Sequence, residues 1–491
     1  MNLIKSIMLV FLSPILFVIV IELTLFLLYQ TTHSKYFESF NETVTTELKI
    51  DFSDLNRDKT KVAIFGGSSA FGYASPASFS DLIQKAYPNE FIIHNYARPG
   101  DPFVGFQSEY LKLVIPYYDV IIIYAGHNEI WSKLYLESAQ RNVEFELLDG
   151  SKVDGASAIL KRDQKLAAIN RGLNAQQLSQ GVNEVHTATW LLYSLRSANL
   201  MRRVINRLRP KSEQKTSVQR LPLFDNKPIV DNKSKDEISR NFLKEINDLT
   251  HELHSNQNLI ISTVLSNDLY PPSLGVLNTE KTELLSSKFT TYYKNVFEDN
   301  IKILPDMKLM PDSSHKSFLE GKLCLAELIK PIEVCRQFLV EARRNDGLPY
   351  RALPEISQSI KSLRHAGDTV DPEADLRLDE TYLKYFVDFQ HPSLLGHMLI
   401  ANKMLKALGK NGQYDLKDHT PSSCDGNLVF LSLQDNDNMI HKSIILKRDE
   451  ILRAHQTNID WLNKFLKSSA VRYMHDYYLK EAIAKLEDCS Q

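Results

Sequence analysis

KVAIFGGSSAFG occupies residues 61–72. Its apolar run Val62, Ala63, Ile64 and Phe65 has the character of a strand covered on both faces. Gly66 and Gly67 then force a sharp turn, and two serines follow directly. Three readings compete for such a turn: a structural loop, a phosphate cradle, or the seat of a nucleophile. The cradle fits poorly, because no G-x-x-x-x-G-K-[ST] lysine follows and no dinucleotide fingerprint is present. Taken alone, the stretch favours the structural turn.

The surrounding chain alters that balance. Further strand-like runs lie at 91–96, 120–125 and 259–265, each short and rich in Ile and Val, with helical patterns between them. This alternation predicts an α/β fold with a parallel sheet flanked by helices. The first strands arrive in quick succession and the fourth arrives late, so 131–256 reads as an insertion too long for a simple crossover. Polar loops close the early strands. NYARPGD (95–101) places Gly100 where its backbone N–H is unobstructed, and YAGHNE (124–129) offers Gly126 as the turn and Asn128 as an amide donor. In open α/β sheets this carboxyl edge is where ligands bind.

Far downstream, VDFQHPSLLGHMLIANKML (387–405) sets Asp388 and His391 three apart, ahead of a helix read as opened by Pro392. Leu394, Leu395, Met398, Leu399 and Leu405 form the apolar face of that helix. A D-x-x-H loop lets a carboxylate orient an imidazole, which in turn takes a proton from a serine. Each block read singly is as well an ordinary loop, with an aspartate capping a turn and a histidine on the surface. Together, at one sheet edge, they favour a site.

In this order the four blocks resemble the SGNH, or GDSL-like, hydrolase family, over residues 62–128 and 381–406. The segment NLIISTVLSNDLYPP (258–272) is similar to the family's later sheet region. The resemblance implies a three-layer α/β/α flavodoxin-like sheet spanning 56–410, with Ser68 as nucleophile, His391 as general base and Asp388 as its orienting partner. It further implies an oxyanion hole formed by the N–H groups of Ser68 and Gly100 and by the Asn128 amide. Ser69 merely follows the nucleophile. Where the family has G-D-S this chain has Gly66-Gly67-Ser68, without the middle acid, and its G-x-N-D reads Gly126-His127-Asn128-Glu129. The implied activity is ester hydrolysis through an acyl-enzyme on an acyl-ester substrate, a glycan or lipid among the candidates, with no cofactor and no metal. The same machinery would serve an O-acetyltransferase of an envelope or exported polysaccharide, and a non-catalytic scaffold is the third reading. Asn267 and Tyr270, at the end of the fourth strand, are placed to line the site, but structural roles are the favoured reading.

The rest of the chain bounds the setting. Among its 491 residues, 58 Lys and Arg face 60 Asp and Glu, which argues against nucleic acid as a partner. Residues 7–29 are almost unbrokenly apolar, about the length of a bilayer-spanning helix. No small-residue cleavage site follows, so an uncleaved anchor is expected instead of a signal peptide. Pro14 and Glu22 interrupt the run, and Lys5 and Lys35 on either side barely orient it. With a spacer at 31–55, the protein is expected to be single-pass, with its catalytic domain outside the cytoplasm. The segment 188–210 carries Trp190, Leu195, Val204 and Leu208 beside several arginines, the pattern of an amphipathic helix lying on the domain or on a membrane. Residues 211–236 look like a polar loop. Residues 280–350 read as a helical, tetratricopeptide-like insertion, two antiparallel helices joined near Lys330-Pro331, and 411–491 as a helical extension with one hairpin. Cys324, Cys335, Cys424 and Cys489 show no zinc spacing and leave both disulfides and free thiols open. Nothing in the sequence reports the oligomeric state.

Overall fold

A computed structural model describes residues 20–27, 58–141, 144–146, 152–160, 162–163, 166, 218–220, 232–270, 272, 313–327, 331–346, 351–363, 368–378, 382–416, 428–435, 438–445, 448–465, 483–484 and 487. The chain divides into two compact units, Met1–Arg57 with Leu160–Thr216, and Asp58–Ile159 with Ser217–Gln491. Few residues of the first are described, and the fold below is that of the second. Of the expected membrane span, residues 20–27 are helical and the rest lies outside the described residues. Among the described residues no helix is long and apolar enough to cross a membrane. The arginine-rich segment 188–210 and the spacer 31–55 also lie outside them.

The core is an all-parallel sheet of strands β1 (Thr60–Gly66), β2 (Phe91–Asn95) and β3 (Val120–Tyr124) with two later strands. Between β3 and those strands, a small separate sheet contains β4 (Glu144–Glu146), β5 (Lys152–Val153) and β6 (Val218–Arg220). The main sheet is completed by β7 (Asn258–Ser262) and β8 (Asp368–Val370), in the order β2-β1-β3-β7-β8. β3 shows why the sheet is parallel: Ile121, Ile122 and Ile123 are fully buried, as a strand covered by helices on both faces requires.

Three expected strands end earlier than their apolar runs, at Asn95, Tyr124 and Ser262, because the residues beyond turn away to build the site loops. β8 was not foreseen. Asp368, Thr369 and Val370 are too few to display a period, and only pairing with β7 makes them a strand.

Helices connect and cover the strands. α1 (Ser68–Phe71) and α2 (Phe79–Ala86) lie between β1 and β2, α3 (Ser108–Val114) between β2 and β3, and α4 (Glu129–Arg141) and α5 (Asn232–Glu252) between β3 and β7. α2 opens with a capping box, in which the Ser78 hydroxyl accepts from the Asp81 N–H and the Asp81 carboxylate accepts from the Ser78 N–H. α5 buries Ile238, Phe242, Ile246 and Leu249 along one face and packs against α3 and α4. It corrects two boundaries. α4 and α5 are crossover helices of the sheet, so the insertion is confined to the chain between them, and residues 232–236 are the first turns of α5 rather than loop.

Between β7 and β8 come α6 (Ser313–Glu327), α7 (Ile332–Arg344) and α8 (Pro354–Ser362). α6 and α7 pack as the expected pair, and a Cys324–Cys335 disulfide ties them. Gly321 lies under α7 because any side chain there would meet Leu339. Cys424 and Cys489 lie outside the described residues.

After β8, α9 (Leu394–Ala407) packs on α2. Its cap is Ser393, whose hydroxyl accepts from the Gly396 N–H. Pro392 therefore precedes the helix instead of opening its first turn, and it bridges back to Phe386. The C-terminal extension begins as a sheet, β9 (Gln413–Tyr414), β10 (Leu428–Asp435) and β11 (Asn438–Ile445), before α10 (Arg448–Phe465). Tyr414 docks it: the Asn402 side chain pairs with its backbone, and its hydroxyl donates to the Leu82 carbonyl.

The disulfide spans a separation of 11 residues, a loop for which chain entropy supplies about 2–3 kcal/mol. Replacing Cys324 and Cys335 together by serine is expected to lower the unfolding free energy by about that amount in urea titrations. An unchanged midpoint would show that packing alone holds the pair.

Candidate active site

The register of the sheet assembles the site. Gly66 pairs with Tyr124, and Tyr124 with Ser262, so β1, β3 and β7 end level with one another. The loops bearing Ser68, Asn128 and residues 263–270 therefore leave the sheet at one edge. The chain runs from β1 out to β2 and then crosses back to β3, so that edge splays open between β1 and β3, where doubly wound sheets bind ligands.

Gly66 and Gly67 are glycines because there is no room for anything else. A Cβ on Gly66 would stand 2.1 Å from the Tyr124 carbonyl oxygen, and one on Gly67 would stand 2.5 Å from Asn128 Nδ2. Ser68 then begins α1, where the first N–H groups of a helix lack intrahelical acceptors.

His391 Nε2 lies 2.7 Å from Ser68 Oγ, and His391 Nδ1 lies 2.5 Å from Asp388 Oδ2. All three residues are buried. The other Asp388 oxygen accepts the backbone N–H groups of Gln390 (2.8 Å) and His391 (2.7 Å). With Oδ1 thus occupied, Oδ2 is left for the imidazole, which fixes the Nδ1–H tautomer and turns the Nε2 lone pair toward the serine. Burial pushes the Asp388 carboxyl up, but the attraction of His391 and these hydrogen bonds outweigh it and hold the group below its ordinary range. Ser69 has its own task, donating to the Gln390 carbonyl at 3.1 Å and so tying the Ser68 turn to the D-x-x-H loop.

The residues expected to form an oxyanion hole fare differently. Asn128 stands against Gly67 and donates one Nδ2 hydrogen to the Asp101 carbonyl at 3.1 Å, leaving the second N–H for a ligand. Gly100 lies in the adjoining turn, exposed and in the left-handed region with φ +79°. The described hydrogen bonds join that turn to the site through Arg98, whose N–H donates to the Gly66 carbonyl, and through Asp101, not through Gly100 itself.

Several contributors escaped the sequence reading. Gln107, fully buried, accepts the Gly66 N–H at 2.7 Å and donates to the Gly66 carbonyl at 2.7 Å and the Asp101 carbonyl at 3.1 Å. Glu129 accepts the N–H groups of Phe103 and Val104 and so anchors the loop that carries Gln107. His127 Nδ1 accepts the Ala352 N–H at 3.0 Å. Burial, with His391 nearby, lowers its pKa to about 3, so it stays neutral beside the triad. The Tyr73 ring lies 5.1 Å from the His391 ring and borders the site on that side. A glutamine eleven positions past a strand carries no signal in one sequence, whereas Glu129 stood within a quoted motif.

Asn267 and Tyr270 are structural. The Asn267 amide donates to the Asp388 carbonyl at 3.0 Å, and the Tyr270 ring packs 5.4 Å from Phe389.

No family model matches the chain, and neither a curated protein nor a solved structure is significantly similar to it.

Buried titrating groups give a signed expectation. Burial lowers His127 and His397 from 6.5 to about 3 and raises Glu129 from 4.5 to about 7. Between pH 4.5 and 6.5 the unfolded chain holds two protons on these histidines, and the native state holds one on Glu129. Through these three groups the difference of one proton lowers stability by about 1.4 kcal/mol per unit as pH drops, and Glu373, also raised by burial, opposes that fall. Glu129→Gln removes one opposing proton, so denaturant titrations should show the loss steepening by about 1.4 kcal/mol per unit.

Proposed function

We propose that the chain is a serine ester hydrolase of the SGNH type. The reading rests on one observation, the unbroken hydrogen-bonded relay Asp388–His391–Ser68 at the open edge of a parallel sheet. The sheet order is that of flavodoxin-like folds, as this family would require.

In this mechanism Ser68 Oγ attacks the carbonyl carbon of an ester while its proton passes to His391 Nε2. Asp388, kept ionised, stabilises the imidazolium through Nδ1–H. The negative oxygen of the tetrahedral intermediate faces the Asn128 amide and the Ser68 N–H, donors that meet charge developed only in the transition state. Collapse expels the alcohol, which takes the proton from Nε2, and leaves an acyl-enzyme. A water molecule then repeats the sequence, its proton going to His391 and its oxygen to the acyl carbon, which frees Ser68 and releases the acid. The Tyr73 ring borders the leaving alcohol because it lies against His391, which suits a sugar or lipid alcohol.

Anchoring to a membrane with the catalytic domain outside the cytoplasm belongs to the same proposal. Support comes from the apolar run at 7–29, from the exposed apolar side chains of Val20, Leu23, Phe26 and Leu27, and from the Cys324–Cys335 disulfide, a bond typical of oxidising compartments.

The full chain in detergent is expected to hydrolyse p-nitrophenyl acetate and to be labelled by a fluorophosphonate, and Ser68→Ala to lose both. Activity retained in that variant would sink the assignment. Asn128→Ala should lower kcat on the order of 10²–10³-fold. Gly67→Ala should act in the same direction, since its Cβ must displace the Asn128 amide.

A further inference from the structure

Two residues of the segment that follows the helical insertion reach both catalytic loops. Arg351 is almost wholly buried, and its Nη1 donates to the carbonyls of Asn267 (2.8 Å) and Tyr270 (2.7 Å). Asn267 in turn grips the D-x-x-H loop: its N–H donates to the Phe389 carbonyl at 3.2 Å and its side-chain amide to the Asp388 carbonyl at 3.0 Å. The next residue, Ala352, donates its N–H to His127, the neighbour of Asn128. One dipeptide thus braces the acid-base loop on one side and the oxyanion loop on the other.

The cost of this arrangement argues that it does more than fill space. A buried guanidinium is expensive unless paired and hydrogen-bonded, and the nearest carboxylate, on Asp346, stands 4.0 Å away. Both carbonyls at the corner of this loop accept from the single nitrogen Nη1, whose two hydrogens diverge in the guanidinium plane at the full reach of the side chain, and an apolar side chain supplies neither bond. The hairpin supports the same corner through charge, with Arg343 Nη1 at 3.3 Å and Arg336 Nε at 3.8 Å from the Asp268 carboxylate. Asp268 is fixed from the other side, its N–H donating to the Tyr382 hydroxyl, which donates to the Ser266 carbonyl.

We propose that Arg351 is a positioning residue of the triad, holding the Asp388–His391 loop at hydrogen-bonding distance from Ser68 by clamping the Asn267–Tyr270 corner. The inference rests on the hydrolase reading. It gives the helical insertion a part in catalysis, through the segment it delivers, instead of a separate binding task.

The test measures the second-order rate of fluorophosphonate labelling of the full chain against pH, with circular dichroism confirming fold. Arg351→Met is expected to slow labelling on the order of 10²-fold, the usual cost of misplacing a catalytic group by about an ångström. The midpoint of its acid limb should also fall, because a loosened Asp388 supports the imidazolium less. Loss of folded protein alone would scale the rate without moving that midpoint. Arg344→Met, at a partly exposed arginine of the same insertion, should label as the wild type does. If Arg351→Met does not fold, Arg351→Lys carries the comparison, since it keeps a charge near Asp346 but its nitrogen falls one bond short of Nη1, and Arg351→Ala should recover at least about tenfold in rate with added methylguanidinium. Wild-type rate and midpoint in folded Arg351→Met or Arg351→Lys overturn the positioning role alone. A wild-type chain that does not label overturns the hydrolase reading and this inference with it.

Discussion

The site depends on ending a buried strand without leaving its last peptide groups unpaired. At Gly66 the β1 strand has passed the end of β2; the Arg98 N–H still reaches the Gly66 carbonyl, but a buried Gly66 N–H left unpaired would cost about 1–3 kcal/mol. Gln107 answers with its side-chain amide, which accepts from the Gly66 N–H and donates to the Gly66 carbonyl just as a neighbouring strand would. That substitution of side chain for strand frees the edge to open. Gln107 can do this only because Glu129 holds the backbone ahead of it, and Glu129 itself follows Asn128 at the start of α4. Turn, amide donor and loop anchor are therefore one hydrogen-bonded unit, assembled from the ends of β1 and β3.

The second half of the relay comes from the opposite end of the domain. Asp388 and His391 sit on a loop closed on itself, with the Val387 N–H donating to the His391 carbonyl and the Ser393 N–H to the Tyr385 carbonyl. Its place relative to Ser68 is set by long-range contacts, from Ser69 in front and Asn267 behind. A hydrogen-bond relay tolerates errors of only tenths of an ångström, whereas apolar packing tolerates more. It follows that the polar contacts, few as they are, decide the geometry, while burial of the sheet supplies the free energy that holds them in place.

This division explains what could be read from the sequence. β1, β3 and β7 announced themselves through Val and Ile runs, and the blocks of the candidate site through glycine turns and a D-x-x-H spacing, because those signals are local. β8 and the roles of Gln107, Arg351 and Ser69 left no local trace; each exists by virtue of a partner far away in sequence. Pro392 shows the limit from the other side. Its residue type suited a first helical turn, yet the hydroxyl of Ser393 made a better cap and displaced the helix start by two positions. Gly67 stands where the resembled G-D-S pattern has an acid, for a reason visible only in three dimensions, the Asn128 amide standing where a side chain would go.

The charges behind the site follow a similar logic at larger scale. Asp268, Arg343 and Glu373 are all buried, with Arg343 Nη1 and Nη2 each 3.3 Å from one of the two carboxylates. Apolar residues of equal volume would usually be as stable or more so, so such a cluster is poor evidence of stabilisation and better evidence of register. Apolar faces slide and repack with little penalty, but a buried arginine moved by one helical turn loses both partners and leaves its own charge unpaired. The arginines therefore allow α7 one seating against the loop beyond β7. A disulfide joins α7 to α6, Arg343 joins it to Asp268, and Asp268 adjoins the Asn267 that grips Asp388. Through that sequence of contacts a helical hairpin inserted between two strands is bound to a relay it does not touch.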